Sequence, residues 1–475
     1  MSGVRILQSA QRYPSLFAGL VFSAYAVIAC LAVQIIVLPH ALPGIHAGHG
    51  LLAGGDFPGL HEIAARLASR ISHQGWSAWE AYPEGQSPAG LAGAIYALTY
   101  PEPWVLIPIN ATMHALGGVI IMRLIQILTD DALIAFWGGA LYVVFPSSLH
   151  WVSQIQKDST YFLGMLAVLL GFITLIRSAT IKSNLVTIRR AIAFFIVGFL
   201  LTATVRLYGF ELIAVAAAAV AIVVTPSLIR GWRQHRVSGK GLVLVLCVMA
   251  SVMILAGNAH RDKRFNGERQ NTKSATFNEV SNVNLQSVDQ TKNENALTVA
   301  QRWQLTELLP QWIDRTFMRI SAARFGWAGS SYAAAGSMID MNVQFLNARQ
   351  VIEYLPRAMQ IVFLAPFPKD WLAQGSSPGG SIMRRVAGIE MLILYPLLLL
   401  GLPLAAWRWK RKLEFWIIIV FCVAILTTYA YVIPNLGTLY RIRYGFLMPL
   451  AAVGLSAIWL SLKQLRNRNM PPLPL

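Results

Sequence analysis

Charge is scarce in this chain. Asp, Glu, Lys and Arg make up 13% of its 475 residues, against about 25% in ordinary soluble domains, which excludes a conventional water-soluble enzyme. Cysteine is nearly absent: Cys30, Cys247 and Cys422 all fall inside apolar runs, so neither a disulfide framework nor a cysteine-built metal site is indicated. His40, His46 and His49 have no regular spacing and no carboxylate cluster beside them, which argues against a histidine metal site. Glycosylation acceptors are lacking too. The one Asn-x-Ser/Thr match, Asn110, lies within an apolar run, which favours a bacterial chain over a secretory-pathway one.

What is plentiful is apolar sequence, 56% of the chain, gathered in long blocks. Blocks of roughly 20 residues match the bilayer core and must be helical, because lipid offers no partner to backbone polar groups. About ten spans are expected, starting near residues 15, 104, 132, 159, 190, 208, 240, 387, 413 and 443. Arg206 interrupts the apolar segment 189–230, which fits two crossings joined by a tight outer turn at Arg206, Leu207 and Tyr208. The first block lacks a clear small-residue cleavage site after it and reads as the first span rather than a leader.

The net charge of +18 invites a nucleic-acid reading until the basic residues are located. With the N-terminus inside, 18 of them, from Arg5 and Arg12 to Lys463, Arg466 and Arg468, fall at cytoplasmic span ends against three acids, Asp130, Asp131 and Glu414. That is the positive-inside bias, with both termini cytoplasmic. Contact with anionic membrane lipids accounts for the surplus, and no nucleic-acid partner is expected.

Three regions follow: an N-terminal membrane bundle, 1–257, with an outer loop at 40–103; a large outer loop, 258–386; and C-terminal membrane helices with a cytoplasmic tail, 387–475. In the first outer loop, Leu60, Ile63, Ala64, Leu67 and Ile71 share one helical face and His61, Glu62, Arg66, Arg70 and His73 the other, the pattern of a helix lying in the interface plane. Trp76, Trp79, Tyr82, Tyr100 and Trp104 read as head-group anchors, and Ala89–Tyr100 is too short to span. The second loop is Asn- and Gln-rich and reads as mobile to about residue 300. Its Leu355–Phe367 run reads as a re-entrant or interfacial helix.

The informative polar residues are those the inside bias does not cover: Lys157 with Asp158, Arg206, and Arg441 with Arg443, all at outer span ends. Singly, each reads as a snorkelling side chain. Their convergence on one face points to a shared anionic ligand, and arginine forks match phosphate oxygens. Arg441 and Arg443 follow Pro434, Asn435 and Gly437, read as a short loop whose backbone approaches a ligand. Among the acids, Asp56 stands before Pro58 as a helix N-cap, as a general base at the rim of a site, or as both. Glu62 and Glu84 are candidates of the same kind.

These features resemble the bacterial polytopic glycosyltransferases of the GT-C superfamily, among them the dolichyl-phosphate-mannose protein mannosyltransferase-like and aminoarabinose transferase-like enzymes. The residues that carry the resemblance are Gly55-Asp56-Phe57 early in a long outer loop, Pro146-Ser147-Ser148 to Gln154, Lys157-Asp158-Ser159, and Asn435 to Arg443 before the last span. The resemblance implies an all-α polytopic GT-C-like bundle with interfacial helices in two outer loops. It also implies a polyprenyl-phosphate-linked sugar donor, undecaprenyl phosphate or similar, and a glycan, lipid or protein acceptor. The acid of the first outer loop, here Asp56, would be the base. Lys157, Asp158, Arg206, Arg441, Arg443 and Glu84 would bind substrate at the periplasmic face of a bacterial inner membrane, in cell-envelope polysaccharide synthesis. Many members have two adjacent acids in that loop, whereas Asp56 is followed by Phe57. That weakens the case for a metal held by an acid pair, so no cofactor is assigned and a divalent cation stays open. Two alternatives stay open as well. One is a polysaccharide polymerase or O-antigen ligase-like enzyme using a pyrophosphate-linked glycan. The other is a transporter or flippase for a lipid-linked sugar, which internal repeats and midplane polar sites would mark.

Overall fold

The computed structural model describes residues 14–53, 55–179, 185–259, 299, 302–307, 309–328, 337–375 and 378–468. The expected mobile stretch to about residue 300 lies almost wholly outside them, as do Arg5, Arg12 and Lys182. Nine helices among the described residues are long and apolar enough to cross a bilayer: Pro14–Ala41, Pro103–Thr129, Asp158–Ser178, Val186–Val205, Gly209–Arg233, Gly239–Ala256, Gly379–Trp409, Leu413–Val432 and Leu436–Arg466. A bent pair makes a tenth. The chain is an all-α polytopic membrane protein, and the only β pairings among the described residues are two isolated bridges, His46 with Leu52 and Met338 with Asn435.

Three spans differ from the sequence expectation: the eighth opens at Gly379 rather than near 387, and the third and the last differ for local reasons. The third is not one helix but Ala132–Val144 followed by Pro146–Val152, bent by 56°. Phe145 is extended (φ −65°, ψ 125°), as the residue before a proline tends to be, and 13 residues reach only about 20 Å, short of the bilayer core. The last span starts at Leu436 rather than near 443, so the expected loop at Asn435–Gly437 is mostly helix. The Asn435 side chain accepts the Thr438 amide at 3.0 Å and its carbonyl accepts the Leu439 amide at 2.9 Å, capping the helix two turns earlier than hydropathy implies.

The chain divides into two compact units. The first comprises Met1–Gly267, Leu392–Cys422 and Gly445–Leu475. Its central helix is the fourth span, Asp158–Ser178, apolar on every face and buried over most of its length, as a core helix should be. Small residues let backbones meet around it: a Cβ on Gly139 would lie 2.6 Å from the Gly118 carbonyl oxygen, joining the second and third spans. At one end Lys412 donates to the Leu128 carbonyl at 2.8 Å and Lys463 to Asp131 at 3.0 Å. Three basic or turn segments that charge assigned to one face therefore lie together.

Between the first and second spans, helix Phe57–Gln74 forms where expected, but its apolar face is covered by protein. Leu60, Ala64, Leu67, Ala68 and Ile71 are buried, and Leu67 sits so close to Gly93 of the short helix Ser87–Leu98 that a Cβ there would be 2.7 Å away.

A backbone contact of the same kind gives a test of the first unit. Leu397–Gly401 is a π-helical turn following Pro396, and a Cβ on Gly454 would lie 2.0 Å from the Leu397 carbonyl oxygen. Gly454→Ala is expected to cost about 1–3 kcal/mol, because backbone cannot yield as a side chain would. Gly59→Ala, in open space on a helix, should be neutral or stabilising by up to about 1 kcal/mol. Thermal unfolding in detergent reads both, and equal midpoints would refute the contact.

The second unit comprises Glu268–Met391 and Val423–Tyr444. It is organised around Arg324 on helix Gln311–Ala328, 3% exposed. The guanidinium donates to the carbonyls of Asp340 at 2.9 Å, Tyr431 at 3.2 Å and Val343 at 3.3 Å. The Leu355–Phe367 run forms a ten-residue helix, Leu355–Leu364, too short to span.

Candidate functional site

In the first unit the turn from the third to the fourth span brings three expected residues together. Asp158 opens the fourth helix, where the N-terminal dipole favours a carboxylate. It forms an ion pair with Arg206, the side chains 5% and 2% exposed. Arg206 stands just past the end of the helix that closes at Val205, in the tight turn expected there: its amide donates to Thr202 at 2.8 Å and its carbonyl accepts from Gly209 at 2.9 Å. The guanidinium lies 4.9 Å from the Tyr161 ring centre and 5.7 Å from that of Tyr208, and it donates to the Tyr208 hydroxyl at 2.6 Å. Arg206 is thus already charge-paired and boxed by aromatics. Lys157, half-buried at the N-cap of the same helix, is the more accessible cation.

The loop between the first and second spans is tied to this turn. Gly48, His49 and Gly50 all have positive φ (92°, 51° and 67°), folding the loop so that the Leu52 amide donates to Gln154 Oε1 at 3.0 Å. Four residues reach at most about 14 Å, which sets the span from Leu52 to Asp56. Asp56 occupies the N-cap position of helix Phe57–Gln74, exposed and helical in conformation, but its side chain makes no capping bond. Asp56 thus has neither the extended backbone nor the side-chain bond of a cap, and its carboxylate is exposed.

Glu84, also exposed and at φ 50°, pairs with Arg66 of that helix at 2.9 Å, beside a second bridge from Arg70 to Glu80 at 2.9 Å. Glu62 lies 3.9 Å from Arg66. His49 Nδ1 is 3.0 Å from both Glu102 carboxylate oxygens, and its ring lies 4.8 Å from that of His61. Burial, then the charge of His49, holds His61 below its ordinary pKa against the opposing pull of Glu102 and Glu62. Among the described residues no group of three His, Cys, Asp or Glu side chains is placed to hold a metal ion.

In the second unit, Arg441 is half-buried, while Arg443 is 1% exposed and lies over the Tyr440 ring at 4.7 Å. Arg443 donates to the carbonyls of Val362 at 2.8 Å and Ile361 at 3.4 Å, closing the end of helix Leu355–Leu364 as basic side chains do at C-termini. Sequence reasoning missed Glu390. It is 1% exposed within the eighth span and accepts the Tyr440 hydroxyl at 2.5 Å. The signal was there, since an acid inside a spanning run is rare enough to single out.

The same unit carries a second acid. Asp340, at φ 49°, receives a two-point fork from Arg357 (2.9 and 3.1 Å) and the Tyr354 hydroxyl at 2.9 Å. Burial raises the Asp340 pKa, but these hydrogen bonds and the charges of Arg357 and Arg324 outweigh it, and the net shift is downward. A depressed carboxylate contributes stability that is full above its unfolded pKa of about 3.9 and is lost as pH falls through the lower folded value. Asp340→Asn should therefore destabilise by about 1–2 kcal/mol at pH 7 and flatten the acid limb below pH about 4. Unfolding midpoints from pH 2 to 7 test it, and an unchanged acid limb would refute it.

No family model and no curated protein matches this chain. Among solved structures it is similar to the archaeal oligosaccharyltransferase AglB from Archaeoglobus fulgidus, in complex with an inhibitory peptide and a dolichol-phosphate, at 13% identity and a TM-score of 0.44. The match covers 98% of this chain and 53% of that one, so the chain spans about half the length of that protein.

Proposed function

We propose that this protein is a membrane glycosyltransferase of GT-C type that moves a sugar from a polyprenyl-phosphate-linked donor to a glycan, lipid or protein acceptor at the outer face of a bacterial plasma membrane. The observation that carries the reading is the tether from Leu52 to Gln154. It joins the loop bearing the solvent-facing Asp56 carboxylate to the turn bearing Lys157 and the Asp158–Arg206 pair.

In the proposed reaction the acceptor hydroxyl oxygen attacks the anomeric carbon, and the bond from that carbon to the phosphate oxygen breaks. The electron pair leaves with the polyprenyl phosphate, and the hydroxyl proton passes to Asp56. Lys157 offsets the charge that grows on the departing phosphate. Arg206, held by Asp158, fixes the turn that presents Lys157. Glu84 is assigned to acceptor binding, and Arg441 and Arg443 stay in the proposal as donor-phosphate candidates.

The test is transfer, or donor hydrolysis, by the purified full-length protein reconstituted with radiolabelled lipid-linked monosaccharides. Turnover lost in Asp56→Asn and Arg441→Ala supports the reading. Consumption of lipid-linked repeat units alone would move the case to a polymerase or ligase, and movement of donor across the bilayer without chemistry would move it to a flippase.

A further inference from the structure

Burying an amide is costly unless its polar atoms find partners, and the first unit buries three of them together, with Gln34 Oε1 left without one. Gln34 on the first span is 2% exposed, Asn110 on the second 7%, and Gln154 past the broken third 1%. Gln154 is the hub. Its Oε1 accepts the Leu52 amide at 3.0 Å and its Nε2 donates to the Gly50 carbonyl at 3.3 Å, so one side chain pairs the loop backbone as an adjacent strand would.

The hub is itself fixed from behind. Asn110 Nδ2 donates to the Gln154 carbonyl at 3.1 Å, and Gln34 Nε2 to the neighbouring Ser153 carbonyl at 2.7 Å. Gln34 sits in the π-helical stretch Val33–Ala41, a wide turn of the kind found at functional sites. Gly50 allows the close approach: its φ is +67°, and a Cβ there would lie 2.3 Å from Gln34 Cγ and 2.5 Å from the Gln34 carbonyl oxygen. The loop's own bonds, Gly50 amide to His46 Nε2 at 2.9 Å and Ala53 amide to the Ile45 carbonyl at 2.9 Å, carry that fixed position toward Asp56.

We infer that Gln154 is a positioning residue, holding loop residues 46–53 against the span ends through Gly50 and Leu52 and so limiting where the Asp56 carboxylate, three residues further on, can stand. The catalytic consequence rests on the proposed role of Asp56, whereas the docking does not. Hydrogen exchange of the full-length protein in detergent, read beside the transfer assay, separates the two. Gln154→Met keeps the side-chain length and removes both bonds to the loop. The Leu52 amide should then exchange at least about tenfold faster, the factor that about 1.4 kcal/mol gives, while amides of the fourth span keep their rates. The kcat should fall by about tenfold or more, with donor KM within about twofold.

Gly50→Ala, which displaces the loop without touching Gln154, should give the same pair of changes, and it carries the test alone should Gln154→Met not fold. Wild-type exchange at Leu52 in Gln154→Met would overturn the inference, as would faster exchange with unchanged transfer. Faster exchange and lower kcat, with Asp56→Asn as active as wild type, would support the docking and remove Asp56 as the base.

Discussion

Asp56→Asn should lower kcat for sugar transfer by about 10²- to 10⁴-fold while leaving donor KM within about threefold, the signature of losing a general base rather than a binding contact. Asparagine preserves the size and N-cap competence of the residue, so helix Phe57–Gln74 has no reason to unwind. In the structure Asp56 makes no capping bond to begin with, and the unfolding midpoint should accordingly be unmoved. Asp56→Glu keeps the carboxylate on a longer arm and should recover part of the rate. Glu84→Gln provides the contrast. It removes the charge of the 2.9 Å bridge to Arg66, and under its proposed role in acceptor binding it should raise acceptor KM at nearly constant kcat. Full transfer by Asp56→Asn would end the catalytic assignment whatever the fate of the others.

The spans were legible because their signal is local. Apolar run length and a positive-inside bias need no knowledge of which helix touches which, and the turn at Arg206 could be read from one charge in a long apolar segment. Pro58 likewise marked the helix start at Asp56. What escaped depends on partners distant in sequence. Asp158 was read beside its neighbour Lys157, but its carboxylate goes to Arg206, 48 residues on. Gln154 is an ordinary polar residue until Leu52, about a hundred residues earlier, donates to it. Hydropathy places Arg443 just after a loop because it starts the last helix too late. Once Asn435 caps that helix at Leu436, Arg443 lies two turns inside it and finds carbonyls. The break at Pro146 was missed because hydropathy counts an apolar run through a proline that the backbone cannot continue through.

Arg206→Met should destabilise the protein by about 3–5 kcal/mol, the cost of leaving a buried carboxylate without its counter-charge. The pair is shielded from water on both sides, at 2% and 5% exposure, so screening and solvent cannot substitute for the guanidinium. Loss of the cation over the rings of Tyr161 and Tyr208 adds about 0.5–2 kcal/mol. The double variant Asp158→Asn with Arg206→Met removes both charges and should regain most of the loss, since a neutral pair of similar volume avoids the desolvation penalty. Comparing the double variant's stability with its transfer rate then assigns the pair. Restored stability with restored transfer would make Asp158 and Arg206 purely architectural. Restored stability with transfer still depressed would mean that their charge acts on the donor phosphate, through Lys157 or directly. An Arg206→Met protein within about 0.5 kcal/mol of wild type would contradict the buried pair itself.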